Sequence, residues 1–301
     1  MAYEEFDQDY HPQKKTVKLI NQINEIVNEY SLQGYKLSER QTHYQLVAKN
    51  LRENTDSNYG SLTRTCTNAR MAGLVDWNAI VDRNRETHRV YHNKNIQQAL
   101  SSALLCYGRD KMEKQKVYIE IMIEKMALFD IVSQVADKYT LRLTGDKGFC
   151  SVTILYEIAG RIKEEQKLGK KCYILYIGDH DPSGLAMDVS IISTLAKMGA
   201  NGVDFRRVAL TPEQVKEYNL PPNMIKESNT NSPKYKEKHG EFSWECDALP
   251  PEILNEVLEN SILSIIDYSK YQEMCKLEEA EKEKLRQIID SIEMTSSYGV
   301  A

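Results

Sequence analysis

The nine residues Tyr176-Ile177-Gly178-Asp179-His180-Asp181-Pro182-Ser183-Gly184 constrain this chain more than any other segment. The apolar run from Tyr173 to Ile177 reads as a strand, and it ends in two aspartates. Pro182 and Gly184 then bend the backbone and open a helix, the arrangement that a tight strand-to-helix ligand loop needs. Further strand candidates lie at Val117 to Ile123, Tyr139 to Leu143 and Val203 to Leu210, with helical segments at Ser151 to Lys167 and Gly184 to Met198. Strands alternating with helices predict an α/β fold built on a parallel sheet.

The N-terminal part has a different rhythm. Apolar residues recur at helical spacing from Val17 to Tyr30, ending near Gly34. Ser38 is placed to cap a second helix carrying Tyr44, Leu46 and Val47. A third runs from Ser61 to Met71, with Gly73 as its C-cap, ahead of the strand-like Leu74-Val75-Asp76-Trp77. Three short helices and a strand-like segment suggest a helix-turn-helix with a wing. Ile96 to Leu105 reads as a linking helix, and Pro251 to Ile292 as an acidic helix with leucine and isoleucine on one face. A chain of 301 residues is long enough for two cores, and the predicted boundaries are 1–98 and 99–301.

No span of about 20 apolar residues occurs, and the opening MAYEEFDQDY is acidic and polar, so neither a membrane helix nor a signal peptide is expected and the cytoplasm is the expected location. The six cysteines are scattered without a Cys-x-x-Cys pair, which disfavours a structural zinc or a disulfide framework. The net charge of −5 argues mildly against general nucleic-acid affinity, but the charges are segregated. Basic residues from Lys36 to Arg89 concentrate in one stretch, and the last fifty or so residues are rich in glutamate. No phosphate-binding Gly-x-x-x-x-Gly-Lys-Ser/Thr loop is present, so any use of ATP would come from a partner.

Glu124 closes the first strand, and Asp179 and Asp181 follow the third. Groups that do chemistry in an open parallel sheet gather at the carboxyl ends of its strands, so these three acids are candidate ligands of one metal ion. Oxygen ligands alone favour a hard cation, and Mg²⁺ is the usual one where a substrate supplies phosphate. A lone Asp-x-Asp is also an ordinary turn feature, and Glu124 an ordinary surface acid.

Taken together, Glu124-Lys125, Thr144-Gly145-Asp146-Lys147-Gly148 and Gly178 to Gly184 resemble the Toprim domain of the topoisomerase VI A-subunit and meiotic double-strand-break protein family. Arg207 to Gln214, Leu220-Pro221-Pro222 and Trp244 to Pro251 are similar to later segments of that group, and the resemblance spans about Gln41 to Pro251. The chain looks most like the compact stand-alone mini-A relatives of mobile elements and viruses, which would place it in a nucleoid or in a host-cell cytoplasm. The resemblance implies an N-terminal winged-helix (CAP-like) domain, a Toprim Rossmann-like domain with a C-terminal helical extension, and Mg²⁺ on Glu124, Asp179 and Asp181. The family's cleaving tyrosine lies four residues after an arginine on a winged-helix helix, which Arg40-Gln41-Thr42-His43-Tyr44 reproduces. It further implies type IIB topoisomerase-like cleavage of double-stranded DNA through a 5′-phosphotyrosyl link, by a homodimer in which the tyrosine of one protomer faces the metal of the other. The short leader leaves little room for the extension that docks an ATPase B-type subunit, so the sequence leaves that partnership open.

An i, i+4 pair shares one helix face, so the Arg40 guanidinium could reach a phosphate under attack by Tyr44 or favour its phenolate. Taken alone, one tyrosine among 18 is far more often a packing residue than a nucleophile. His43 should point away from this face and be exposed. Arg64, Arg70, Arg83, Arg85 and Arg89 are candidate phosphate contacts, or else an ordinary solvated face. Two other functions compete: a Mg²⁺-dependent hydrolytic nuclease in which water replaces the tyrosine, and a winged-helix DNA-binding protein without catalysis.

Overall fold

The computed structural model of the chain describes residues 5–81, 92–145, 151–225 and 231–297. Arg83, Arg85 and Arg89 lie outside the described residues, as does the Asp146-Lys147-Gly148 part of the second motif. Among the described residues there are eleven α-helices and a four-stranded parallel sheet. No helix there is long and apolar enough to cross a membrane.

Helix α1 (Lys14–Leu32) buries Leu19, Ile20, Ile23, Ile26, Val27 and Tyr30, one stripe at helical spacing. Helix α2 (Glu39–Ala48) opens on a capping box, the Gln41 amide donating to Ser38 Oγ at 3.2 Å and the Ser38 amide to Gln41 Oε1 at 2.8 Å. Helix α3 (Asp56–Met71) is capped by Thr55 and closed at Gly73, whose φ of 63° favours glycine. The three share a core that includes Leu46, Leu62, Cys66 and Val75. The expected strand at Leu74–Trp77 does not form. The Leu74 amide completes the end of α3 by donating to the Ala69 carbonyl, and Asp76 accepts from the Asn78 amide, which makes the segment a turn. A single parallel bridge between Leu37 and Ile80 follows.

After α4 (Ile96–Cys106) the chain alternates: β1 (Val117–Ile123), α5 (Phe129–Lys138), β2 (Arg142–Gly145), α6 (Val152–Lys167), β3 (Lys171–Ile177), α7 (Pro182–Lys197) and β4 (Asp204–Ala209). The order is β2-β1-β3-β4, all parallel. β2 starts three residues later than the sequence pattern suggested, because Tyr139 and Thr140 form the turn that ends α5, with Thr140 at a φ of 52°. Alternation along β1 serves two cores. Ile119, Ile121 and Ile123 pack with Ile131, Val132 and Val135 of α5, while Met122 joins Leu155, Ile158 and Ile162 of α6 and Ile191 of α7.

This order fixes where a ligand can sit. The chain steps outward from β1 to β2, then returns past β1 to β3 and on to β4, so the direction of winding reverses between β1 and β3. A crevice opens at the carboxyl ends of strands flanking such a reversal. Glu124 follows β1 and Asp179 follows β3, on the two sides of that crevice.

Beyond the sheet come α8 (Pro212–Glu217), the antiparallel pair β5 (Asn223–Met224) and β6 (Phe242–Ser243) around α9 (Ser232–His239), then α10 (Pro251–Leu263) and α11 (Tyr268–Ser297). The acidic segment expected as one helix is broken between α10 and α11. Gln115 clamps Asp267 there through both its amide and its carbonyl, each at 2.9 Å, and the Asp267 carboxylate accepts from the Ser269 amide at 3.1 Å to start α11. Leu254, Leu258 and Ile262 of α10 complete the core on the α5 side of the sheet.

Candidate functional site

The crevice is crowded with charge. The Asp179 amide donates to Glu124 Oε2 at 2.8 Å, and Asp179 Oδ1 accepts from the Cys246 amide at 2.9 Å. Asp181 caps α7 through the Gly184 amide at 2.6 Å. Two glycines permit this closeness. A Cβ on Gly178 would stand 2.8 Å from Glu124 Oε2, and one on Gly184 would collide with the Asp179 carbonyl. Arg207 ties the loop down, donating to the carbonyls of Gly178 at 2.7 Å and Gly184 at 2.9 Å and pairing with Asp188 at 2.8 Å. His180, between the two aspartates, is buried away from them. The Tyr235 hydroxyl donates to its carbonyl at 2.9 Å and stands 2.8 Å from Nδ1, and burial, with His239 and Arg207 nearby, pushes its pKa down to about 4.

Three residues without an assigned role in the sequence reading complete the cluster. The Lys125 ammonium meets Asp179 Oδ2 at 2.7 Å, Glu245 Oε2 at 2.9 Å and Asp247 Oδ2 at 3.0 Å. Glu245 also takes a bidentate bond from Arg40, at 2.8 Å and 2.9 Å. Lys125 and Glu245 thus connect the sheet edge to helix α2.

Tyr44 belongs to the sheet-side core, not to the core of the three N-terminal helices, and it is 2% exposed. Its hydroxyl accepts from Asn223 Nδ2 at 3.0 Å. Tyr44, Arg40, Asn223, Glu245, Asp179 and Asp181 line one cleft of about 430 Å³, and Glu124 lies outside its lining. Burial first, and then the charge of Glu245, push the Tyr44 phenol above its ordinary pKa. Asn223, Arg40 and Lys125 oppose that shift without reversing it. Arg40 favours the phenolate, but Glu245, paired with it at 2.8 Å, pushes the other way more strongly.

His43 is not exposed as expected. It is buried with its ring 5.6 Å from that of Tyr59, because α2 packs against α1, α3 and the turn at Cys246–Ala248. Arg70 does not face outward as a phosphate contact would. It donates to the Ile80 carbonyl at 2.5 Å and lies 5.8 Å from the Trp77 ring, holding the turn after α3. Arg64 is exposed and lines a groove of about 910 Å³ with Lys15, Lys18 and Arg52.

Among the described residues no group of three or more His, Cys, Asp or Glu side chains is arranged to hold a metal ion as it stands. Lys125 occupies one side of Asp179, and Glu124 and Asp181 each commit one oxygen to a backbone amide. The charge balance nevertheless fits a cation. Glu124, Asp179, Asp181, Glu245 and Asp247 stand against Lys125 and Arg40, and burial together with Asp179 raises the Glu124 pKa to about 8.

A pH dependence follows. At low pH Glu124 is protonated whether the chain is folded or unfolded. As pH rises from the ordinary carboxylate range to about 8, the unfolded chain gives up a proton that the folded one keeps, so the metal-free protein loses stability across that window. Between pH 5 and 8, Glu124→Gln is expected to remove a pH-dependent loss on the order of a few kcal/mol in denaturant unfolding. Identical pH slopes in the two proteins would contradict it.

No family model, curated protein or solved structure matches the chain, so the functional reading rests on this geometry.

Proposed function

We propose that the protein cleaves double-stranded DNA through Tyr44, with Mg²⁺ held by Glu124, Asp179 and Asp181, as a topoisomerase VI A-like enzyme with a winged-helix unit and a Toprim unit. The observation that carries the reading is the single cleft shared by the Tyr44 hydroxyl, Arg40, Asp179 and Asp181. The groove lined by Lys15, Lys18, Arg52 and Arg64 gives it further support, as a basic surface for the phosphate backbone.

In this mechanism the Tyr44 oxygen forms a bond to phosphorus while the bond to the 3′ oxygen breaks. The products are a 5′-phosphotyrosyl link, which conserves the ester for rejoining, and a 3′ hydroxyl, which takes up, through solvent, the proton that the phenol gives up. Bound Mg²⁺ would supply positive charge to the phosphate and the leaving oxygen. Arg40 and Lys125 hold the positive charges that favour ionised Tyr44, and Glu245 restrains both until DNA enters. Tyr44 is 2% exposed and its hydroxyl is held by Asn223 at 3.0 Å, so that bond must give way for the phenol to meet a phosphate. Two chains about a two-fold axis would address the two strands.

One observation favours a second reading. A buried phenol with a raised pKa is a poor nucleophile, whereas water activated by a metal needs no such residue. Supercoiled plasmid incubated with the protein and Mg²⁺, then denatured with detergent, separates the two. DNA covalently joined to protein is expected, and breaks with protein-free ends would make the enzyme a hydrolytic nuclease.

A further inference from the structure

Lys125 sits where a metal ion would find the most carboxylate oxygens. An ammonium has three N–H donors, and Lys125 directs all three at carboxylates, those of Asp179, Glu245 and Asp247, at 2.7 to 3.0 Å. Three carboxylates here face two cations, Lys125 and Arg40, which leaves one negative charge in excess. The excess has a location. Asp247 is 1% exposed, and its Oδ1 has no hydrogen-bond partner. A bare carboxylate oxygen in the interior is costly, and one that persists calls for a ligand.

We propose that Asp179, Glu245 and Asp247 form a site for a hard divalent cation adjoining the Glu124–Asp179–Asp181 group, and that the Lys125 ammonium is its resident competitor. Exchange of the ammonium for a divalent ion brings the three acids and Arg40 to formal neutrality, and binding of that ion through both Asp247 oxygens would give Oδ1 a partner. The donors are all oxygen. Cys246, between Glu245 and Asp247, turns its sulfur to the Gly178 carbonyl at 2.9 Å and offers no thiolate, which selects Mg²⁺, Mn²⁺ or Ca²⁺ over softer metals. The oxygens stand 2.7 to 3.0 Å from Nζ, wider than the roughly 2.0–2.6 Å shells of these ions, so they must close in by several tenths of an ångström once the lysine withdraws. Asp179 and Glu245 line the cleft and provide the way in. The site does not depend on DNA being the substrate.

Mn²⁺ titrated calorimetrically into the whole chain tests the inference. Lys125→Met is expected to bind one more ion per chain than Lys125→Met with Asp247→Asn, at least tenfold more tightly than the unaltered protein binds its last ion. Equal stoichiometry in the two variants overturns the proposal. A measurement on the unaltered chain decides the matter if those variants do not fold. Reductive methylation of Lys125, read by mass spectrometry, should rise severalfold at saturating Mn²⁺, and the rise should vanish in Asp247→Asn. Labelling that Mn²⁺ leaves unchanged, or a rise that persists in Asp247→Asn, overturns it.

Discussion

Tyr44→Phe is expected to reduce covalent protein–DNA adducts at least about a thousandfold while leaving the fold and DNA retention intact. Phenylalanine keeps the ring that Tyr44 packs into the sheet-side core and removes only the hydroxyl that accepts from Asn223. That bond is worth about 1 kcal/mol. Asn223 keeps a bond from Asn54 at 2.6 Å and lies 3.4 Å from Glu245, so its side chain stays anchored. Loss of adducts therefore reports chemistry, not unfolding. Adducts at the unaltered level in a folded Tyr44→Phe protein would remove the tyrosine from the mechanism.

The second large effect lies away from the cleft. Glu120 is 0% exposed on the α6 side of β1, where it takes a bidentate bond from Arg161 at 2.8 Å and 2.9 Å and a bond from the Tyr118 hydroxyl at 2.6 Å. Arg161→Met would strand a carboxylate among Met122, Ile158 and Ile162, and breaking one side of a buried pair costs about 3–5 kcal/mol. Replacing both partners, as in Glu120→Leu with Arg161→Met, removes the uncompensated charge and should recover most of the loss. Denaturant unfolding of the two variants measures both terms. A single variant within about 1 kcal/mol of the unaltered protein would show that water reaches Glu120.

The central strands of the sheet were legible because β-branched and apolar runs such as Val117 to Ile123 suit a strand buried on both faces, and Ser38 was legible as a cap because its partner Gln41 is only three residues away. The acids at the strand ends followed from the strands. What escaped the sequence depends on distant partners. Lys125 bonds to residues 120 and 122 positions away, and no local pattern marks Glu245 or Asp247 as its neighbours. The burial of His43 and the inward turn of Arg70 are likewise set by packing against α3 and the turn that follows it. The break between α10 and α11 is made by Gln115, 152 residues from Asp267. Position on a helix face predicted which residues could meet, and tertiary partners decided which ones did.

Mapping the DNA-linked residue tests the central claim most directly. After cleavage and exhaustive nuclease digestion, protease fragments are examined by mass spectrometry for a residual nucleotide. The nucleotide is expected on the phenolic oxygen of Tyr44, in a fragment that loses it when Mg²⁺ is withheld. A nucleotide on any other residue, or cleaved DNA with no nucleotide on the protein, would contradict it.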